Sequence, residues 1–230
     1  MEPIALTAHV LMRLIHHTLR FGDHLDLSRQ PHDGLHLLYG NGRGVQAEIP
    51  AGWTSIWWPL RGRISLATPG SDWELGSRDL QVWREGPVRC RSLGPHGWLG
   101  LAGSGQAWPL NAAAHADRLF PWQGRIWRDT AGLLLKLARS APLTASSDAG
   151  DQEAWTAALS ASLLEQQQSL HALLSRCNGR TLARRRQTLI RLLRVRHQIH
   201  CHPDVRLDLE CLAETGNYSP WHLIRVYCAG

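Results

Sequence analysis

The chain has 230 residues, enough for one large domain or two smaller ones around a sizeable core. No apolar stretch approaches the ~20 residues that a helix needs to span a bilayer, and the N-terminus lacks the pattern of a secretory signal, so we expect no membrane contact. The five cysteines, Cys90, Cys177, Cys201, Cys211 and Cys228, form no C-x-x-C pair. Their spacing argues against a zinc finger or a disulfide framework and favours a reducing cytoplasm.

Positive charge is concentrated after Gly179. This last fifth of the chain contains nine arginines and four acidic residues, a net charge of +5, whereas the preceding 178 residues contribute +1 to the total of +6. Such asymmetry predicts a polyanion, namely nucleic acid, as the partner of the C-terminal segment. Because Lys136 is the only lysine in the sequence, single arginines reflect a compositional preference, and their clustering is the more informative feature.

Residues 1–111 contain short apolar runs separated at close intervals by glycine and proline. The runs are Trp53–Leu60, Ile64–Ala67, Trp73–Leu75, Leu80–Trp83 and Trp98–Leu101. Short strands with regular turn signals predict an all-β sandwich or barrel. Seven of the eleven tryptophans fall in this region, and we expect most of them in its core, although any one of them can instead line a ligand pocket.

Residues 112–178 are predicted to be mainly helical, with one helix at Trp127–Arg139 and a loop at Ser140–Asp151. Side chains that are apolar at all but one position then recur at spacings of three and four, which predicts an amphipathic helix. The stripe consists of Trp155, Leu159, Leu163, Gln166, Leu170, Leu173, Leu174 and Cys177. It either packs on its own domain or pairs with the same helix of a second subunit.

Residues 179–230 predict three further helices. Apolar residues keep helical spacing from Leu182 to Ile199, and Pro203 ends that helix. A short helix follows from Leu209 to Thr215.

Single residues mark the ends of these short helices. Asp208 is the expected N-cap of the second helix, and Gly216 the expected left-handed residue just past its end. Ser219 can cap the third helix, which has Pro220 at its first position. Two short helices joined by a tight turn are typical of a helix-turn-helix.

Helical spacing divides the third helix into two faces. Leu223, Val226 and Tyr227 are expected to pack against Leu212 and Ala213. The opposite face holds Trp221, Ile224, Arg225 and Cys228.

The outward face has the chemistry of a major-groove reader. Arg225 can donate two hydrogen bonds to guanine, and Trp221 and Ile224 can contact thymine methyl groups. Ser219 and the N–H groups after it suit a phosphate. Tyr218 and His222 are further candidates for contacts with the DNA backbone.

The run LECLAETGNYSPWHLIRVY at residues 209–227 resembles the first helix-turn-helix of the AraC (arabinose-regulator) family of bacterial transcription regulators. The family pattern Ser-x-x-His-Leu-x-Arg-x-aromatic corresponds to Ser219, His222, Leu223, Arg225 and Tyr227. The Arg-rich helix Thr181–Cys201 matches the helix that opens that DNA-binding domain. By resemblance the base-facing positions are Trp221, Ile224 and Arg225, and because the family often has a polar residue where Ile224 stands, only methyl contact is expected there.

The resemblance implies an α+β protein with three parts. These are a cupin-like sensing β-barrel at residues 1–111, a helical linker and dimerisation region at 112–178, and a partial DNA-binding domain at 179–230. The partners that the resemblance implies are double-stranded DNA, a small-molecule effector of unknown identity and a second copy of the chain. The implied location is the cytoplasm, at the nucleoid. The resemblance implies no catalytic residue, no metal and no cofactor. The DNA-binding residues carried over are Ser219, Pro220, Trp221, His222, Ile224 and Arg225.

The resemblance stops short of the whole family domain, which has two helix-turn-helix modules, whereas this sequence ends at Gly230 in or just after the first. The expectation is therefore a fragment or a truncated product. Because one reading helix supplies roughly half of the phosphate contacts, we expect the chain as given to bind DNA weakly or not at all.

Two other functions stay open at this stage. One is a cupin-like metal enzyme or ligand-binding module with a basic tail, and the other is a defective regulator that dimerises without reading DNA. The close histidine pairs are His16-His17, His32 with His36, and His200 with His202; no barrel run has the His-x-His that a cupin metal site needs, so solvated or structural histidines are the expected outcome. The glycines of Gly40–Gly44 predict a hairpin turn rather than a phosphate loop, since no Lys-Ser/Thr follows.

Overall fold

The computed structural model describes residues 13–68, 71–84, 86–108, 118–140, 149–201 and 207–228. In these ranges strands precede helices, so the predicted α+β class is confirmed. The strands are β1 (Arg13–Leu19), β2 (His24–Asp26), β3 (Gly34–Asn41), β4 (Gln46–Ile49), β5 (Thr54–Pro59), β6 (Arg63–Thr68), β7 (Ser71–Gly76), β8 (Asp79–Trp83), β9 (Val88–Ser92), β10 (Gly97–Gly103) and β11 (Trp122–Arg125). The helices are α1 (Arg128–Arg139), α2 (Ala149–Gln166), α3 (Gln168–Leu174), α4 (Leu182–Cys201), α5 (Leu209–Gly216) and α6 (Pro220–Cys228), besides a 3-10 turn at Leu27–Arg29.

The strands form two sheets. The six-stranded sheet has the order β1-β3-β10-β5-β8-β11, and the five-stranded sheet has the order β2-β4-β9-β6-β7. Pairing is antiparallel except for β1 with β3 and β2 with β4, which are parallel. The consecutive strands β3 and β4 belong to different sheets, so Gly40–Gly44 is part of a crossover between sheets, and the predicted hairpin there is wrong. Periodicity alone does not show which strand becomes the neighbour of which.

The main core lies between the two sheets, and tryptophans fill much of it. Trp57 and Trp98 are fully buried, with their rings 5.6 Å apart. Their indole N–H groups donate to the hydroxyls of Ser55 at 3.0 Å and Ser92 at 2.8 Å. Since a buried indole needs such a partner, these contacts explain how the core accommodates large rings. The prediction that most tryptophans of this region belong to the core is confirmed, since all seven are buried and belong to one of the two clusters that pack on the sheets.

A second core lies on the outer face of the six-stranded sheet, under α1 and α2. Leu159 and Leu163 of the predicted apolar stripe are fully buried here. The stripe is broken into α2 and α3 at Gln167, and Leu170 continues into a further cluster with Leu189 of α4. The stripe therefore packs within its own chain, which was the first of the two alternatives.

The last three helices share a small core of their own, in which Val195 of α4, Ala213 of α5 and Leu223 of α6 are all buried. Helix α4 thus shares this core with the last two helices. Pro203 and His202 lie outside the described residues, and so does the side chain of His200. Within the described ranges, no helix is both long enough and apolar enough to cross a bilayer.

Candidate nucleic-acid interface

Helix α5 begins as the sequence predicts, because the backbone N–H of Cys211 donates to Asp208 Oδ1 at 2.7 Å. Its C-terminus differs from the prediction. Gly216 is the last helical residue, and Asn217 adopts the left-handed conformation with φ 54° and ψ 52°. The N–H groups of Asn217 and Tyr218 then return to the carbonyls of Glu214 and Ala213 at 2.9 and 2.8 Å, a C-terminal cap.

Gly216 is needed because α5 and α4 approach each other closely there, and not because of its backbone conformation. A Cβ placed on it would lie 2.9 Å from Cγ2 of Val195 in α4 and 3.0 Å from the Tyr218 ring. The absence of a side chain therefore lets the end of α5 touch α4. The expected left-handed glycine is wrong, because an asparagine tolerates that conformation while the tertiary contact requires the glycine.

Helix α6 begins at Pro220, with the N–H of His222 donating to the hydroxyl of Ser219 at 3.4 Å. Both features are as predicted. Beyond this cap the two faces of the helix differ sharply in burial. Trp221 is 84% exposed, Ile224 is 41% exposed and Arg225 is exposed, so an indole, a sec-butyl group and a guanidinium share one outward face.

The inner face of α6 differs from the prediction at one residue. Leu223 and Val226 are buried, but Tyr227 is 56% exposed. The buried cluster includes Leu223 together with α5 residues and does not extend to Tyr227. Because α5 has only eight residues, it covers α6 around Leu223 and leaves Tyr227 in the last turn uncovered. The phenol is therefore added to the exposed surface of the helix.

The ring of Tyr218, in the turn between α5 and α6, contacts one side chain from α6 and one from α4. Its ring stacks on His222 at a centroid distance of 5.1 Å. The guanidinium of Arg191 in α4 lies 5.3 Å from the centre of the same ring, an arrangement favoured by the ring quadrupole. These contacts fix the position of the exposed His222, in the first turn of α6, and connect that turn to α4.

Several arginines of α4 make contacts within the protein. The clustering of arginines in the sequence did not predict these contacts. Arg185 Nε donates to the carbonyl of Gly179 at 2.9 Å, and Arg186 donates to the carbonyl of Leu119 at 2.7 Å. Arg186 also lies over the ring of Phe120, 5.0 Å from its centre. These guanidinium groups hold α4 against the preceding segments, so the charge cluster has a structural part as well as an exposed part.

A cavity of about 360 Å³, which sequence reasoning missed, lies between the sheets and α4. Trp73, Trp83 and Trp122 border it on the sheet side, and Ile190 and His197 of α4 border it on the other side. Gln81 also lines it. The sequence signal was a lone amide among the apolar residues of β8.

Histidines form a stacked group on β1 and β3. His17 Nε2 lies 2.9 Å from His36 Nδ1, and His36 Nε2 lies 2.9 Å from the carbonyl of Pro31. Burial and the neighbouring His36 and His16 lower the pKa of His17 to about 4. His36 stacks on Trp53 at 5.3 Å. Three or more metal-ligating side chains converge nowhere in the described part of the chain, and these two histidines pair with each other.

No protein-family model matches the sequence, and no curated protein matches it. Among solved structures, the fold is similar to a ToxT variant from Vibrio cholerae strain SCE256, at 8% identity and a TM-score of 0.40, over 84% of this chain and 92% of that one. It is also similar to the AraC-like transcriptional activator CuxR, at 12% identity and a TM-score of 0.35, over 77% of this chain and 61% of that one. At such identities and scores, the function of this chain has to be inferred from its own residues.

Proposed function

We propose that the chain is a DNA-binding transcription regulator of the AraC type, with α6 as the helix that enters the major groove. The observation that carries the proposal is the outward face of α6. Trp221, Ile224 and Arg225 stand there on a capped helix that crosses α5. The Trp221 indole is 84% exposed, so contact with a partner would remove a large apolar area from water. The neighbouring Arg225 guanidinium supplies the hydrogen bonds that identify guanine.

The N-terminus of α6 supports contact with the DNA backbone. Pro220 lacks an N–H, and the N–H of His222 donates to the Ser219 hydroxyl, so the first turn presents the N–H of Trp221, with the Ser219 hydroxyl beside it. Such a helix N-terminus favours a phosphate. His222, held against Tyr218, lies in the same turn. Phosphate contacts of this kind set the position of the helix on the duplex, whereas Arg225 and Trp221 set the sequence.

The proposal is tested by selecting sequences from a random pool of DNA duplexes with the full chain at about 50 mM salt, where phosphate contacts are strong. We expect weak but sequence-selective binding, and fluorescence anisotropy then gives the Kd of the enriched duplex. We expect Arg225→Gln to raise this Kd by about tenfold and to relax the preference at one base pair. The matched control is Arg61→Gln, an exposed arginine in the turn between β5 and β6, which should leave the Kd unchanged.

Two results would overturn the proposal. One is the enrichment of no sequence from the pool, with no binding that weakens between about 50 and about 200 mM salt. The other is an Arg225→Gln variant that selects the same sequences with the same Kd as the parent chain.

We also propose that a small molecule regulates this activity, because α4 is shared between the two parts of the protein. Its residues Leu192 and Val195 pack toward α5 and α6, while Ile190 and Leu193 border the cavity against the sheets. Homodimer formation is a separate proposal. Since the apolar stripe of α2 is used within the chain, the dimer surface is unassigned, and sedimentation equilibrium of the full chain tests whether it exists.

A further inference from the structure

A groove of about 410 Å³ lies between α6 and the segment that leads from α3 into α4. It is lined by Asn178 of that segment and by His222, Arg225 and Val226 of α6. His222 and Arg225 are three positions apart in the helix, so their side chains lie along the same wall. None of these lining residues is acidic. The groove therefore has hydrogen-bond donors on both sides and no carboxylate that would repel an anion.

The Asn178 wall is held in place through the backbone. The carbonyl of Asn178 accepts the hydroxyl of Thr188 at 3.0 Å, and the carbonyl of Gly179 accepts Arg185 Nε at 2.9 Å. Both donors belong to α4, so this helix fixes the position of the segment. Asn178 is exposed, and its side-chain amide has no hydrogen-bond partner among the described residues. The amide is therefore available to an outside partner.

The wall on the other side is also fixed, in this case by ring contacts. His222 stacks on Tyr218, whose ring in turn lies under the guanidinium of Arg191 in α4. The exposed guanidinium of Arg225 has no ion pair with any described residue. Both walls are thus attached to α4 before any partner binds, and a site arranged in advance loses little conformational entropy on binding.

The position of the groove indicates which anion it receives. It borders the same helix whose outward face carries Trp221 and Ile224. A helix in the major groove has a sugar-phosphate backbone along its flank, and phosphate oxygens accept hydrogen bonds from guanidinium, imidazole and amide groups alike. A groove with these three donors on the flank of α6 therefore fits a phosphodiester better than it fits a base edge.

We propose that this groove holds a phosphodiester of the DNA strand beside α6, and that Asn178, outside both helices of the helix-turn-helix, donates to it. The inference rests on the proposed function, since it concerns the same DNA. It also gives the sensing part a direct route to the DNA. Asn178 follows shortly after α3, which packs on α4, so a shift of α3 would move one wall of the groove and change the affinity for DNA.

Substitutions at Asn178 test the contact, with Kd measured by fluorescence anisotropy on the duplex that the full chain enriches, at about 50 mM salt. Asn178→Ala should raise the Kd about fivefold through the loss of one hydrogen bond and should select the same sequence, because a phosphate contact does not identify a base. Asn178→Asp places a negative charge against the phosphate and should raise the Kd more than about tenfold. The matched control, Asn41→Asp at the exposed end of β3, makes the same change of charge and should leave the Kd within about twofold.

Neutral methylphosphonate linkages, introduced one at a time into the same duplex, identify the partner of Asn178. At one linkage the replacement should weaken binding of the parent chain about five- to tenfold, because a phosphate charge is lost. The same replacement should weaken Asn178→Asp by less than about twofold, because it also removes the repulsion. A general disturbance of the fold by the aspartate would instead leave the effect of every linkage as it is in the parent chain.

Two results overturn this inference and leave the regulator intact: Asn178→Asp binds with the Kd of the parent chain while Arg225→Gln does not, or every linkage replacement affects the parent chain and Asn178→Asp equally. If circular dichroism shows that Asn178→Asp is misfolded, Asn178→Ala is taken through the same linkages. Its combined loss at one linkage must then be smaller than the product of the two separate losses. A pool from which no sequence is enriched overturns the proposed function, and this contact with it.

Discussion

The side-chain amide of Gln167 pairs with both backbone groups of Phe120. The N–H of Phe120 donates to Gln167 Oε1 at 2.7 Å, and Gln167 Nε2 donates to the carbonyl of Phe120 at 3.0 Å. Both residues are fully buried. Since Arg186 lies over the Phe120 ring and donates to the carbonyl of Leu119, this pair joins the segment before β11, the junction of α2 and α3, and helix α4.

Replacing this amide should destabilise the whole chain. Gln167→Leu leaves two buried backbone groups of Phe120 without partners, at about 1–3 kcal/mol each, so we expect the free energy of unfolding to fall by about 2–6 kcal/mol. Urea unfolding followed by circular dichroism measures it. The control, Gln168→Leu, changes an exposed neighbour and should stay within about 0.5 kcal/mol. Equal urea midpoints for the two variants would show that the pair does not hold the segment.

The two faces of α6 should separate stability from DNA binding. Leu223→Ala removes a buried side chain from the small core of the last three helices and should cost about 2–4 kcal/mol in urea unfolding. Trp221→Ala changes a side chain that is 84% exposed, so unfolding should move by less than about 0.5 kcal/mol. In anisotropy the Trp221 variant should lose about tenfold in affinity for DNA. A destabilised Trp221 variant with unchanged DNA affinity would contradict this assignment of faces.

The ends of the last helices could be predicted from residues close to them in the sequence. Contacts between residues far apart in the sequence could not be predicted. Asp208 and Ser219 cap helices through bonds within three residues, and such bonds depend only on nearby sequence. The role of Gly216 depends on Val195, about twenty residues away, and the sequence does not show that contact.

The same division holds for the sites. The outward pair Trp221 and Arg225 follows from helical spacing alone. The cavity wall combines Gln81 with His197, which are far apart in the chain, and the crossover from β3 to β4 depends on which sheet each strand joins. Sequence periodicity gives the face of an element, and it does not give the element that will cover that face.

Two helical glycines should respond to alanine with opposite signs. Gly132 in α1 has open space around it, whereas a Cβ on Gly216 meets Val195 at 2.9 Å. Gly132→Ala should stabilise by about 0.5–1 kcal/mol, because alanine loses less backbone entropy. Gly216→Ala should destabilise by about 1–2 kcal/mol through overpacking. Adding Val195→Ala to Gly216→Ala should recover part of the loss in a double-mutant cycle, and simple additivity would show that the two residues do not touch.

The stacked histidines should make the stability of the fold depend on pH in the acid range. Burial, then His36 and His16, lower the pKa of His17 to about 4, from 6.5 in an unfolded chain. The unfolded state therefore takes up the proton first, so this stabilisation is complete above about pH 6.5 and is lost as the pH falls toward 4. Burial lowers the pKa of His36 and of His16 in the same direction.

Because His17 is partly reached by solvent, we expect a loss of about 1–2 kcal/mol from it between pH 7.5 and pH 4.5, smaller than the full shift would give. Urea unfolding of the parent chain and of His17→Gln at about five pH values measures it. The glutamine can still bond His36 but cannot take up a proton, so its stability should depend less steeply on pH. His96→Gln, at an exposed histidine, is the control and should follow the parent curve. If His17→Gln also follows that curve, protonation of His17 does not limit stability in acid, and the lowered pKa has no thermodynamic consequence for the fold.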